Sequence, residues 1–115
     1  MILSAALRAY VCAEPVDMRK SIDGLAQLVE PLFQADPFSG HVFVFLGKHR
    51  NKVKLLVWDR NGFWMLYKRL EKNRFPRPDA FVREGLSLAE LTAWLEGIDL
   101  GNARRLPSVS ALRVT

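Results

Sequence analysis

Apolar residues recur every three or four positions from Met18 to Phe33, which is the period of an amphipathic helix. Asp17 precedes this pattern, and its carboxylate is suited to accept hydrogen bonds from the free amides of a first helical turn. Pro31 lacks an amide proton, so we expect it to kink the helix or to end its regular part. The pattern predicts a helix over residues 18–34.

Three strand-like segments follow this helix. Residues 42–46 are uniformly apolar, β-branched or aromatic, which is typical of a strand buried on both faces. Residues 52–58 alternate between two faces. Asn61-Gly62 comes next and is a strong hairpin signal, because both residue types tolerate positive φ. We therefore predict a three-stranded antiparallel meander whose last strand ends near Leu70.

Shorter elements flank the meander on both sides. Residues 7–13 alternate weakly and are interpreted as a short first strand. Ser87 and Glu90 have the spacing of a capping box, in which each side chain bonds to the backbone of the other residue. An apolar stripe follows, so we predict a second helix over residues 87–96.

Composition is consistent with one folded domain. The chain has 115 residues, of which 50% are hydrophobic and 25% are charged, as in ordinary globular proteins. We predict an α+β domain over residues 1–100, in which two helices pack on a small antiparallel sheet of three to five strands. The second helix is expected alongside the first. Residues 101–115 are expected to form an extended tail.

Positive charge is concentrated in one region of the chain. Residues 48–83 carry eleven Lys or Arg and three acids, a net charge of +8, whereas the remainder has a net charge of −3. A basic cluster of this kind favours a polyanion as the partner. The alternative is a solvated basic surface that serves only solubility.

The predicted hairpin loop and the segment after the meander hold most of these bases. On a sheet that carries both, basic side chains can bind phosphates while aromatic side chains stack on nucleobases. Lys54 and Lys68 are expected on the face that also carries Trp58 or Trp64. The alternative is that the aromatic residues are core and the lysines protect an edge strand. The candidate DNA-binding residues are Lys48, Arg50, Lys52, Lys54, Lys68, Arg69, Lys72, Arg74 and Arg77.

A second hypothesis is binding to another protein without DNA contact. An exposed aromatic surface, together with bases of the tail, would then bind a partner. The candidate partner-binding residues are Phe38, Phe63, Trp64, Phe75, Arg104 and Arg105.

Enzymatic chemistry has little support in this sequence. One cysteine and two histidines are too few soft ligands for a zinc site, and no phosphate-binding glycine loop or nucleophile motif occurs. A magnesium-dependent nuclease needs converging carboxylates; Asp59 is a candidate, although a role in its turn is the simpler interpretation. We expect no enzyme activity, no cofactor and no metal.

Cys12 lies in an apolar stretch and is interpreted as a small buried hydrophobe. No apolar run approaches the roughly 18 residues of a transmembrane helix, and the N-terminus lacks the basic segment of a secretory signal. These features favour a cytoplasmic protein without membrane contact.

Several motifs together resemble one known family. Residues 17–25, Asp-Met-Arg-Lys-Ser-Ile-Asp-Gly-Leu, resemble the opening signature of the second-reading-frame (TnpB-type) accessory proteins of the insertion sequence 66 family. The likeness continues through residues 36–40, 42–45, 52–59 and 62–71, and it covers about residues 7–97. Ser21 departs from the family pattern, which often has Gly there, and Pro31 is atypical.

The resemblance implies an accessory role in the transposition of a bacterial mobile element. Proteins of this kind are encoded beside a larger transposase, which carries the acidic catalytic residues. The resemblance supplies no catalytic residues for this chain. In that setting the DNA-binding hypothesis expects the ends of the element as the target, and the protein-binding hypothesis expects the transposase of the same element or another accessory protein as the partner.

Overall fold

A computed structural model of the protein describes residues 7–79, 82 and 84–100. Its elements are β1 (Ala9–Val11), α1 (Ile22–Phe33), β2 (Val42–Leu46), β3 (Lys52–Asp59), β4 (Gly62–Arg69) and α2 (Leu88–Leu95). The predicted α+β class and three-stranded meander are confirmed. The predicted tail over residues 101–115 lies outside the described residues. None of the described helices has the length and apolar character to cross a membrane.

The four strands form one sheet in the order β1-β2-β3-β4. β2, β3 and β4 pair antiparallel, whereas β1 joins β2 in parallel, with Tyr10 opposite Phe43. Parallel neighbours need a crossover connection, usually a helix, and α1 lies between these two strands in the chain. The sheet is therefore antiparallel only over its last three strands.

The two helices lie on opposite faces of the sheet, so the expectation that they lie side by side is wrong. α1 contributes Leu25 and Val29 to a cluster with Phe43 and Phe45, whereas α2 contributes Trp94 to a second cluster. The cause is β2, whose successive side chains point to opposite faces and are all apolar. Both faces of the sheet therefore need a covering layer.

Helix α1 begins four residues later than its apolar period suggested. Asp17 does not cap it: its carboxylate accepts hydrogen bonds from the Arg19 amide and guanidinium at 2.8–3.2 Å. These bonds lower the pKa of Asp17 to about 2. Ser21 is the N-cap residue, but its side chain makes no cap hydrogen bond. The helix continues through Pro31 and ends at Phe33.

Helix α2 confirms the predicted capping box. The Ser87 hydroxyl accepts from the Glu90 amide, and the Glu90 carboxylate accepts from the Ser87 amide, both at 3.1 Å. Two orphan amides of the helix start are thereby satisfied. The helix packs on the sheet through Leu91 and the fully buried Trp94.

The β3–β4 hairpin is confirmed, but its turn residues differ from those expected. Asp59 pairs with Gly62, so Arg60 and Asn61 form the two-residue turn and Gly62 already belongs to β4. Arg60 takes the positive φ of 61°. The Asn-Gly pair therefore marks the place of the hairpin, while the turn itself lies one residue earlier.

Cys12 is buried and unpaired, as its apolar neighbours predicted. Burial raises the pKa of its thiol. A thiol in this environment is poorly nucleophilic, because the thiolate is the reactive form.

Phe75 is the residue whose burial fastens the segment after β4 to the core. It is fully buried and stacks on Trp94, with ring centroids 5.4 Å apart and planes at 13°. Phe75→Ala is expected to lower the free energy of unfolding by about 3–5 kcal/mol, measured by urea denaturation. Phe38→Ala, at an aromatic residue that is 56% exposed, is the control and is expected to cost about 1 kcal/mol. Equal costs for the two variants would contradict the anchoring role.

Candidate nucleic-acid interface

Two segments of the chain form one end of the sheet. The β2–β3 loop, residues 47–51, leads into Lys52 at the start of β3, and Lys52 lies directly opposite Arg69 at the end of β4. The chain then turns back along the loop through residues 70–77. We call residues 47–52 and 69–77 together the basic end.

Backbone hydrogen bonds hold the two segments against each other. The Leu70 amide donates to the Asn51 carbonyl at 2.7 Å, and the Phe75 amide donates to the Arg50 carbonyl at 2.7 Å. The Arg50 guanidinium donates in turn to the Phe75 carbonyl at 3.3 Å. With Phe75 buried, residues 70–77 form an irregular segment that is held against the hairpin loop, with Asn73 at a positive φ of 67°.

The basic end has a strong excess of positive charge. It holds seven bases, namely Lys48, Arg50, Lys52, Arg69, Lys72, Arg74 and Arg77, and one acid, Glu71. Glu71 pairs with Arg69 at 3.0 Å, with both side chains exposed. Exposed pairs of this kind contribute little to stability. The remaining six cations have no acid within the basic end to offset them.

Three arginines lie close together in this region. Partial burial lowers the pKa of Arg50, and the positive charges of Arg77 and Arg74 lower it further. Even so, a guanidinium stays charged at any pH a protein encounters. Mutual repulsion of these cations is relieved when an anion binds among them, so the arrangement is suited to phosphate groups.

Seven of the nine predicted DNA-binding residues thus lie at one end of the sheet. Lys54 is adjacent on the α1 face, where its amine donates to the Lys20 carbonyl at 2.7 Å. Lys68 is different. It lies opposite Val53 on the α2 face, and its amine donates to the Leu95 carbonyl at 3.0 Å.

The expectation that Lys54 and Lys68 share a sheet face is therefore wrong. A two-residue turn places even-numbered residues of β3 opposite odd-numbered residues of β4, so Lys54 faces Tyr67. The amine of Lys68 donates to the carbonyl of the last residue of α2, where positive charge is favourable. Lys68 therefore has a structural role at the end of α2.

The predicted partner-binding residues are dispersed. Phe38 and Phe63 lie near the β3–β4 turn and contact Trp58, with ring centroids 4.9 and 5.0 Å from it. Trp64 is exposed on the α2 face of β4, and its indole N–H donates to the Asp59 carboxylate at 2.9 Å. Phe75 is buried, so its expected exposure is wrong. Arg104 and Arg105 lie outside the described residues.

Two further large side chains of β4, Leu66 and Tyr67, are exposed, and neither was among the predicted site residues. Their exposure follows from the strand order, because β4 is an outer strand of the sheet. The alternation of β4 shows which residues share a face, but it does not show that the strand is at an edge.

The described residues contain no group of three or more His, Cys, Asp or Glu side chains that could hold a metal ion. Asp59, the carboxylate considered for magnesium, is engaged by Trp64. The basic end is instead a cluster of seven bases, which is chemically suited to anions.

Comparison with known proteins identifies the family. A family model described as "IS66 Orf2 like protein" matches residues 7–105. The protein y4jC of Sinorhizobium fredii is 34% identical over 107 residues, 90% of each chain, and the protein y4hO of the same organism is 33% identical over 97 residues, 81% of this chain and 82% of that protein. Both carry the description "uncharacterized". No solved structure matches the chain significantly.

The match covers most of the chain, including both segments of the basic end and both helices. The chain belongs to the family of IS66 Orf2-like proteins, which have an accessory role in the transposition of an insertion sequence.

Proposed function

We propose that the protein serves transposition by binding DNA through the basic end, without catalysing a reaction itself. The observation that carries this proposal is the placement of seven bases on two segments that are hydrogen-bonded to each other. Phosphate contacts position a protein on DNA and supply most of its non-specific affinity. The ends of the element are the proposed target.

The geometry favours a phosphate-binding surface over a merely solubilising one. Surfaces that only keep a protein soluble typically carry interspersed charges of both signs, whereas six cations here have no acid within the basic end. Their scaffold is also ordered before binding, because Phe75 and the backbone bonds to Arg50 and Asn51 fix it. An ordered surface loses less entropy on binding than a disordered basic tail would.

The test is a salt titration of binding to a labelled duplex from the element's end, with a scrambled duplex alongside. If about five phosphates are neutralised, log K should fall with log salt at a slope of about −4 to −5. Changing Lys48, Lys72 and Arg74 together to Gln should reduce the slope to about −2. All three side chains are exposed, so the fold should be retained.

Arg60→Gln is the matched control. Arg60 is an exposed base in the β3–β4 turn, at the other end of β3 and β4 from the basic end, so its removal should leave the slope unchanged. Absence of duplex binding at low salt, or a slope that the triple variant does not change, would refute the proposal. Preference for the element's end over scrambled duplex would indicate sequence-specific recognition.

A second candidate function is binding of the transposase, which the outer strand β4 favours. Among the described residues, no strand pairs with the side of β4 that faces away from β3. Trp64 and Leu66 are 46% and 43% exposed there, on the α2 face. Free strand edges with apolar side chains are common sites for partner strands.

Co-purification of the transposase after nuclease treatment tests this function. Trp64→Ala is expected to reduce the recovered transposase, because large aromatic residues dominate interface energetics. The triple variant of Lys48, Lys72 and Arg74 should retain the transposase. No association of the unmodified protein with the transposase, or equal recovery by Trp64→Ala, would exclude this surface.

A further inference from the structure

An exposed tyrosine lies among three bases on the α1 face of the sheet. Tyr67 of β4 is directly opposite Lys54 of β3, and the neighbouring pair on the same face is Lys52 opposite Arg69. Directly opposite residues have Cβ atoms roughly 5 Å apart, and successive pairs on one face are about 7 Å apart along the strands. Three cations therefore share the sheet face of Tyr67, one directly opposite it and two in the neighbouring pair.

Tyr67 is not accounted for by packing. Its side chain is 52% exposed, and it belongs to neither hydrophobic cluster, whereas Phe63 and Met65 on the same face pack against the α1 cluster. The Lys54 amine lies 5.7 Å from the centre of its ring. The amine is over the ring, so the two side chains make a cation–π contact.

Two of the neighbouring cations, Lys52 and Arg69, repel each other when no anion is bound. Lys52 and Arg69 are like charges directly opposite each other, which destabilises a sheet pair. Arg69 is drawn to Glu71 at 3.0 Å, but this pair is exposed and weak. A phosphate bound between Lys52 and Arg69 would remove the repulsion and would lie one residue pair away from Tyr67.

We propose that Tyr67 stacks on an unpaired nucleobase while Lys52, Lys54 and Arg69 bind the flanking phosphates, so that this face binds single-stranded DNA. The inference rests on the proposed DNA-binding function and names a substrate class for it. Proteins that bind single strands without sequence preference usually combine aromatic side chains with adjacent Lys or Arg side chains. In a duplex the faces of the bases are covered by their neighbours, so only the phosphate contacts remain.

The experiment compares three labelled ligands by fluorescence anisotropy with the full chain. The ligands are a short oligothymidine, an abasic oligonucleotide with the same number of phosphates, and a duplex. The unmodified protein should bind oligothymidine more tightly than the abasic strand. Tyr67→Ala should weaken oligothymidine binding by roughly 5- to 150-fold and leave abasic and duplex binding unchanged.

Two variants control for structure. Tyr67→Phe keeps the aromatic ring and should retain oligothymidine binding. Trp64→Ala removes an exposed aromatic residue from the opposite face of the same strand and should bind all three ligands like the unmodified protein. If Tyr67→Ala does not fold, the preference of the unmodified protein for oligothymidine over the abasic strand still decides the question.

The outcomes separate this inference from the proposed function. Steep salt-dependent binding of all three ligands, with no effect of Tyr67→Ala, would overturn the stacking role and leave duplex binding by the basic end intact. Equal loss of all three ligands in Tyr67→Ala would also overturn it, because stacking distinguishes ligands with bases from the abasic strand. No binding of any ligand would overturn both proposals.

Discussion

Complete burial of β2 is the constraint on which the architecture depends. All five of its residues are buried and apolar, so the strand can only be stable with a layer on each face. α1 supplies one layer, and α2, together with Phe75, supplies the other. The neighbouring strands β1 and β3 complete its hydrogen bonds on both sides. The positions of the helices, and of the segment that carries Phe75, follow from this requirement.

The same constraint shapes the basic surface. Phe75 occupies the core beside Trp94, and Lys72, Arg74 and Arg77 lie on either side of it in sequence. An apolar anchor within a charged segment holds the flanking cations near the hairpin loop, where Arg50 bonds to the backbone of Phe75. Repulsion among the cations is therefore tolerated because the hydrophobic core stabilises their scaffold. A surface that is ordered and electrostatically strained before binding is well suited to an anionic partner.

Sequence patterns predicted those features that depend on local chemistry. The apolar run of β2, the hairpin and the Ser87–Glu90 capping box were all recognisable, because each is set by neighbouring residues. The start of α1 was not, because Asp17 bonds to Arg19 instead of capping the helix. Its apolar period continues upstream of the helix and gave no sign of this.

Features that depend on the tertiary arrangement were harder to predict from the sequence. The grouping of bases around the hairpin loop was predicted from their positions in the chain, but the role of Phe75 as an anchor depends on its contact with Trp94, which lies 19 positions away in the sequence. The exposure of Tyr67 depends on the strand order. The separation of Lys54 from Lys68 was implicit in the sequence, since any two-residue turn places residues of opposite parity on one face.

We propose the basic end as the DNA-binding surface of the protein. The most direct test of this proposal is backbone amide NMR of the full chain during titration with duplex DNA. We expect the largest chemical-shift changes in residues 47–52 and 69–77, and no changes in the β3–β4 turn at residues 59–62. Changes centred on that turn and on Phe38, or no changes at low salt, would contradict the proposal.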